Sequence, residues 1–174
     1  MRLKDMEFTR LLGEREVQER VAGLSAVINE DYRESQPLVL PVLNGSFMFA
    51  ADLLRHFTMN PRVSFVKHSS YNGNVSAGQL KTIIGLQESV FNQDVLIVED
   101  IIDTGQTITQ VMNELSTLGT KSIEVVALLR KQKSNGNGHR IKYVGFDIPD
   151  HFVVGYGLDY QGLGRQLRDV YRQV

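Results

Sequence analysis

Apolar and polar positions change rhythm several times along the chain, and each rhythm predicts an element. Between Glu14 and Tyr32, Val17, Val21, Leu24, Val27 and Ile28 recur at nearly helical spacing, which predicts an amphipathic helix ending near Asp31. Pro37 breaks that pattern. From Pro37 to Leu43 the chain is almost wholly apolar, as suits a strand covered on both faces in a parallel sheet. Asn44-Gly45-Ser46 reads as a turn and cap before a helix from Phe47 to Phe57, and Arg62 to Ser70 alternates as a strand, completing a βαβ unit. Tyr71 to Gln79 is polar, contains glycine and is long for a connection, as lids often are, and strand-like residues resume at Leu80. Further strands are predicted at Asp94 to Val98 and Ser122 to Lys131, a strand and exit at Ile141 to Pro149, and a last short strand and loop at Phe152 to Tyr160, with a helix from about Thr107 to Leu118 stopped by Gly119. Helices alternating with apolar runs predict one α/β domain over residues 1–174, an open, mainly parallel twisted sheet flanked by helices. Such sheets hold their ligands at the carboxyl ends of strands.

Composition narrows the partner. With 174 residues, 42% hydrophobic and 22% charged, the chain can bury one sizeable core. Nineteen basic residues against 20 acidic ones leave no electrostatic footprint for nucleic acid or membrane, so a small-molecule partner is expected. The absence of cysteine excludes disulfide and thiolate chemistry. Together with the lack of an apolar leader or an 18-residue apolar run, it leads to the expectation of a cytoplasmic protein. His56, His68, His139 and His151 are spaced too irregularly for a metal site and are expected to be structural or solvent-facing.

The stretch Val95 to Thr109, VLIVEDIIDTGQTIT, carries the candidate chemistry. A strand ending in acids occurs in nucleoside-triphosphate sites, but those need a GxxxxGK[ST] loop, which the sequence lacks. A phospho-accepting receiver domain would begin near this strand and place its acceptor aspartate at the end of a later one; here a βαβ region precedes it and the next strand ends in Leu129-Arg130-Lys131. A third reading uses every polar residue. Asp103-Thr104-Gly105-Gln106-Thr107 makes a tight turn into a helix, where backbone N–H groups, threonine hydroxyls and the helix dipole converge on one point suited to a phosphate monoester. Glu99 and Asp100 lie just upstream, suited to two neighbouring sugar hydroxyls or to magnesium. A phosphate seat beside a diol seat describes a ribose 5-phosphate.

On these residues the stretch resembles the phosphoribosyl-diphosphate (PRPP) motif of the type I phosphoribosyltransferases, in the version typical of the hypoxanthine-guanine branch. The resemblance extends from about Pro37 to Arg165, through LNGSFMFAADLL, SSYNG, VEDIIDTG, ALLRK and VGFDIPDHFVVGYGLDY. It implies a small hood formed by the terminal segments, magnesium as cofactor and a homodimer or homotetramer. By position, Glu99 and Asp100 would serve the ribose diol and its metal, Asp103 the base-side proton transfer, and Thr104, Gly105, Gln106 and Thr107 the 5′-phosphate. Lys131 would read the purine 6-oxo group, Phe152 would stack on the purine, and Val153 would offer it backbone contacts. Asp159 would face a second magnesium and Arg165 the pyrophosphate. Ser70-Tyr71 would belong to the lid, and Leu43-Asn44-Gly45, with a non-proline cis peptide, would form the pyrophosphate loop. Asn44 stands where many members carry Lys or Arg, which leaves pyrophosphate contact there to the backbone. The implied reaction transfers phosphoribosyl from PRPP to hypoxanthine, and to guanine, in purine salvage. The rival expectations are a xanthine-preferring transferase and an RNA-binding regulator on the same fold.

Overall fold

The computed structural model describes residues 1–70, 80–84, 88–133 and 140–174, with 68–70 and 80–84 described as backbone only. In chain order the elements are β1 (Arg2–Leu3), β2 (Met6–Leu12), α1 (Glu14–Asp31), β3 (Leu38–Leu43), α2 (Phe47–Arg55), β4 (Arg62–Val63), β5 (Val66–Ser70) and β6 (Leu80–Ile84). They continue with β7 (Asp94–Ile102), α3 (Gln106–Thr117), β8 (Ser122–Lys131), β9 (Tyr143–Ile148), β10 (Val153–Val154) and β11 (Val170–Gln173).

The main sheet runs β6-β5-β3-β7-β8-β9, with β4 beside β3. Only the β5–β6 pair is antiparallel; β3, β7, β8 and β9 run parallel, with Leu38 opposite Val95 and Val95 opposite Ile123. Both faces are covered, which explains the continuous apolar strands. Successive side chains of β7 alternate between them. Leu96 and Val98 pack with Val17, Val21, Leu24 and Ile28 of α1 and with Phe49 and Leu53 of α2. Val95 and Ile97 face Ile108, Val111 and Leu115 of α3. The expected α/β sheet flanked by helices is thus present, and the predicted α1, α2, α3 and β8 lie within two residues of their observed bounds.

A second, antiparallel sheet, β1-β2-β11-β10, forms the hood from both ends of the chain. β1, β2 and β11 carry few apolar residues in period, so the sequence pattern leaves them undefined, whereas β10 falls in the short strand expected after Phe152. Long-range bonds tie the hood to the rest: Asp169 Oδ1 accepts the Glu14 N–H at 2.7 Å, capping an α1 whose own cap residue, Gly13, has no side chain to do so. Tyr160 donates from its hydroxyl to Asp5 at 2.9 Å. Two boundaries differ from expectation. The predicted strand from Arg62 is split into β4 and β5, and β7 runs on to Ile102, so Glu99 and Asp100 belong to the strand itself. Apolar Ile101 and Ile102 sustain pairing with Leu129 and Arg130 beyond the acids. The short strand and loop expected at Phe152 to Tyr160 are present: Val153–Val154 is the strand, and glycines at positive φ (Gly155, +99°; Gly157, +102°) bend the chain away after it. Among the described residues no helix is long and apolar enough to cross a membrane.

Candidate active site

The ends of β3, β7 and β8, the segment after β9 and the hood loop converge at the carboxyl edge of the sheet, where two cavities adjoin. One, about 240 Å³, is lined by Gly45, Asp100, Ile101, Asp103, Lys131, His151, Phe152, Val153, Leu158, Asp159 and Arg165. The other, about 200 Å³, is lined by residues 99–108, including Thr104, Gly105, Gln106 and Thr107. Asp100, Ile101 and Asp103 belong to both.

The second cavity is built by the turn from β7 into α3. Gly105 takes φ +81°, a left-handed conformation that costs a glycine little, and it starts the helix. The Gln106 N–H reaches back to Thr104 Oγ1 at 3.4 Å, and the helix dipole adds positive potential at the same place. Beneath this turn Glu99 is buried and Asp100 half-buried. Glu99 is 7% exposed, and its Oε2 has no hydrogen-bond partner among the described residues. Burial, and then the neighbouring Asp100 charge, push its carboxyl well above the usual range. Asp100 is pushed up to about 6 by burial, against the opposing effect of backbone hydrogen bonds, including the Ile101 N–H at 2.8 Å, and of the Arg165 charge.

The Leu43–Asn44 peptide bond is cis, and it delivers Gly45 against Asp100. A Cβ on Gly45 would lie 1.5 Å from Asp100 Oδ2, so only glycine fits between loop and carboxylate. Gly157 approaches from the hood as closely: a Cβ there would meet the Gly45 carbonyl at 2.0 Å. Arg165 donates to the Gly157 carbonyl at 2.6 Å and pairs with Asp159, whose other oxygen accepts the Gly162 N–H at 2.6 Å. The guanidinium is thereby fixed at the cavity wall.

The remaining wall is aromatic and charged. Phe152 is 42% exposed, and Phe8 and Tyr160 stand behind it at ring-centroid distances of 6.2 and 5.8 Å. Val153 sits opposite Arg172 while the Gln173 N–H donates to the Phe152 carbonyl, so Val153 turns its own N–H and C=O away from β11. Lys131, at the end of β8, pairs with Asp103 at 2.9 Å and with Asp150 at 3.1 Å. These two carboxylates outweigh burial and raise the ammonium above its ordinary value.

The candidate residues Gly45, Glu99, Asp100, Asp103, Thr104, Gly105, Gln106, Thr107, Lys131, Phe152, Val153, Asp159 and Arg165 therefore meet around the two cavities. Asn44 precedes Gly45 in the loop without lining either. Ser70 ends β5 and is described as backbone only, while Tyr71 and the rest of the expected lid to Gln79 lie outside the described residues. His151, expected to be structural or solvent-facing, is half-buried and lines the cavity beside Phe152. Gly157 and Asp150 were not singled out by the sequence; a glycine needed for close approach and an acid after Pro149 carry no periodic signal.

The chain belongs to the phosphoribosyltransferase family, in its type I branch: the family model described as phosphoribosyl transferase domain matches residues 9–161. Its relatives are more particular. It is 40% identical over 158 residues to the hypoxanthine-guanine phosphoribosyltransferase of Bacillus subtilis, covering 90% of this chain and 88% of that protein. The hypoxanthine phosphoribosyltransferase of Buchnera aphidicola is 40% identical over 153 residues, 86% of each chain. Among solved structures, a hypoxanthine phosphoribosyltransferase from Staphylococcus aureus superposes with a TM-score of 0.88 at 38% identity, covering 98% of this chain and 93% of that one.

Proposed function

We propose that the protein transfers the 5-phosphoribosyl group of PRPP to hypoxanthine and guanine, releasing pyrophosphate and the nucleoside monophosphate, as one domain serving purine salvage in the cytoplasm. The observation that carries this reading is the junction of the cavities. A phosphate seat at Thr104 to Thr107 and an aromatic-walled seat at Phe152 meet at Asp100 and Asp103, the arrangement a purine nucleotide requires. The names of the relatives favour hypoxanthine and guanine over a xanthine-preferring or an RNA-binding role.

In the reaction the C1′–oxygen bond breaks, pyrophosphate leaves with the electron pair, and a purine nitrogen attacks the oxocarbenium-like C1′. Arg165 and the backbone of Gly45 are set to receive the departing charge in a partly water-excluded pocket. Asp103 is 58% exposed at the side chain, within reach of a ligand, and takes the proton from the imidazole side of the purine as the other nitrogen bonds. Lys131 donates to the 6-oxo oxygen, and Phe152 holds the ring by its face.

Magnesium fits the donor set. Glu99 is a buried hard-oxygen donor with an orphaned oxygen, Asp100 is a half-buried one, and Asp159 adds a carboxylate on the cavity that Asp100 lines. No group of three or more acids or histidines among the described residues is placed to hold a metal unaided, so the remaining ligands would be diphosphate, ribose and water oxygens, as is usual for magnesium. When bound, the ion neutralises charge on the departing diphosphate. For the homodimer or homotetramer expected of the family, exposed Phe47, Phe65 and Phe91 supply apolar surface to cover.

The test is pyrophosphate release with PRPP, magnesium and each of hypoxanthine, guanine, xanthine, adenine and orotate. Release with the first two supports the reading. Release with xanthine alone, or none together with salt-sensitive RNA binding, moves the assignment to a rival.

A further inference from the structure

Lys131 is held by two carboxylates, although base recognition needs only its ammonium and proton transfer only Asp103. Its Nζ lies 2.9 Å from Asp103 Oδ2 and 3.1 Å from Asp150 Oδ1, and the side chain is 12% exposed. Asp150 follows Pro149, just past the end of β9, and its second oxygen faces Lys133 Nζ at 3.6 Å. It thus stands outside the cavity, whereas Asp103 stands on the cavity wall. An ammonium has three N–H donors and turns freely about its terminal bond unless acceptors fix it. With one donor on Asp150 and one on Asp103, the third is left for a ligand in the cavity that Lys131 lines.

We infer that Asp150 is a positioning residue for base choice: by fixing the Lys131 ammonium from behind, it keeps one donor directed to the purine 6-oxo group and leaves Asp103 free to exchange its lysine contact for a proton. Without Asp150, Asp103 is the remaining carboxylate partner among the described residues. The ammonium then turns towards it, and both groups are withdrawn from the purine together. This rests on the proposed oxopurine transferase activity and names a residue that touches neither substrate.

An ion pair with a partner as exposed as Asp150, 46% at the side chain, controls up to about fivefold in an equilibrium. Steady-state kinetics of Asp150→Ala, Asp150→Asn and Asp150→Glu should separate the effect. KM for hypoxanthine should rise about three- to fivefold in Asp150→Ala and less in Asp150→Asn, which keeps the shape and one acceptor. KM for PRPP should stay within about twofold of the parent, because the phosphate and pyrophosphate seats are untouched. Preference for hypoxanthine over adenine should narrow, and Asp150→Glu should recover most of it. Lys133→Met serves as the control for outer-surface charge and should leave both KM values within about twofold. If Asp150→Ala does not fold, the near-isosteric Asp150→Asn carries the test. Unchanged hypoxanthine KM and base preference in Asp150→Asn, or equal rises in both KM values, overturns the inference. Parent protein without hypoxanthine-dependent turnover overturns the proposed function instead, so the two failures are distinct.

Discussion

Replacing Gly45 with alanine puts one methyl group where the loop after β3 meets Asp100. The added Cβ would stand 1.5 Å from Oδ2 and 2.4 Å from Cγ, and ordinary contact begins at 3.4 Å, so loop and carboxylate must part by about 1.9 Å. Neither can move cheaply. Asp100 is bound to the Ile101 N–H at 2.8 Å, and the Gly45 carbonyl is wedged against Gly157 on its other side. Overpacking of a close-packed site typically costs about 1–3 kcal/mol, which for a domain of this size lowers Tm by several degrees. The larger effect falls on function, because a displacement of about 1 Å in a catalytic constellation can cost about 10²-fold and this one is greater. Initial rates at varied PRPP should therefore show kcat/KM for PRPP reduced by about 10²-fold or more, with the variant still folded by circular dichroism. Near-parental kcat/KM in Gly45→Ala would falsify the assignment of this contact to the PRPP site.

Three other variants probe separate parts of the account. Asp103→Asn keeps the shape and removes the proton acceptor, so kcat should fall by about 10²–10⁴-fold while PRPP affinity by calorimetry is retained; normal turnover would reduce Asp103 to a shaping role. Lys131→Met should lose far more activity with hypoxanthine and guanine than with adenine, since a site built to pair with an oxygen discriminates by about 10⁴-fold or more; an intact preference would show that the lysine does not read the base. Asp100, raised by burial to about 6 from an ordinary 3.8, favours a protonated folded state, so its contribution to stability is present at low pH and lost as pH rises through that window. Metal-free protein should accordingly lose Tm between those pH values. The Glu99→Gln/Asp100→Asn double variant should flatten that loss, melt higher than the parent at pH 8 and bind magnesium-PRPP more weakly; a lower Tm at pH 8 would contradict the description of the pair as desolvated.

The parts of this molecule that could be read from sequence are those where one local pattern fixes one physical outcome. Runs such as Val95 to Val98 are apolar throughout because helices cover both faces of the sheet, and the glycine and hydroxyls of the Asp103-to-Thr107 turn mark it as a candidate anion seat, where the structure has a cavity. Less was legible where partners are distant in sequence. The hood strands have little apolar periodicity and depend on each other across the whole chain, as Phe8 opposite Gln173 shows. Gly45, Asp100 and Gly157 meet through steric exclusion, which leaves no trace in periodicity. The roles of Lys131, Phe152, Asp159 and Arg165 were suggested by family resemblance, because a lysine ending a strand or a phenylalanine in an apolar run is otherwise ordinary. Asp150 and His151 escaped even that, since their meaning lies in neighbours 19 or more residues away or in a cavity wall.

The central claim is that the two adjoining cavities hold the two ends of one purine nucleotide, and a crystal structure of the protein with inosine monophosphate tests it most directly. The phosphate should sit on the backbone of Thr104 to Thr107, the ribose hydroxyls within hydrogen-bond distance of Glu99 and Asp100, and the base against Phe152 with its 6-oxo oxygen on Lys131. A phosphate bound elsewhere, or a base lying away from Phe152 and Lys131, would contradict the account.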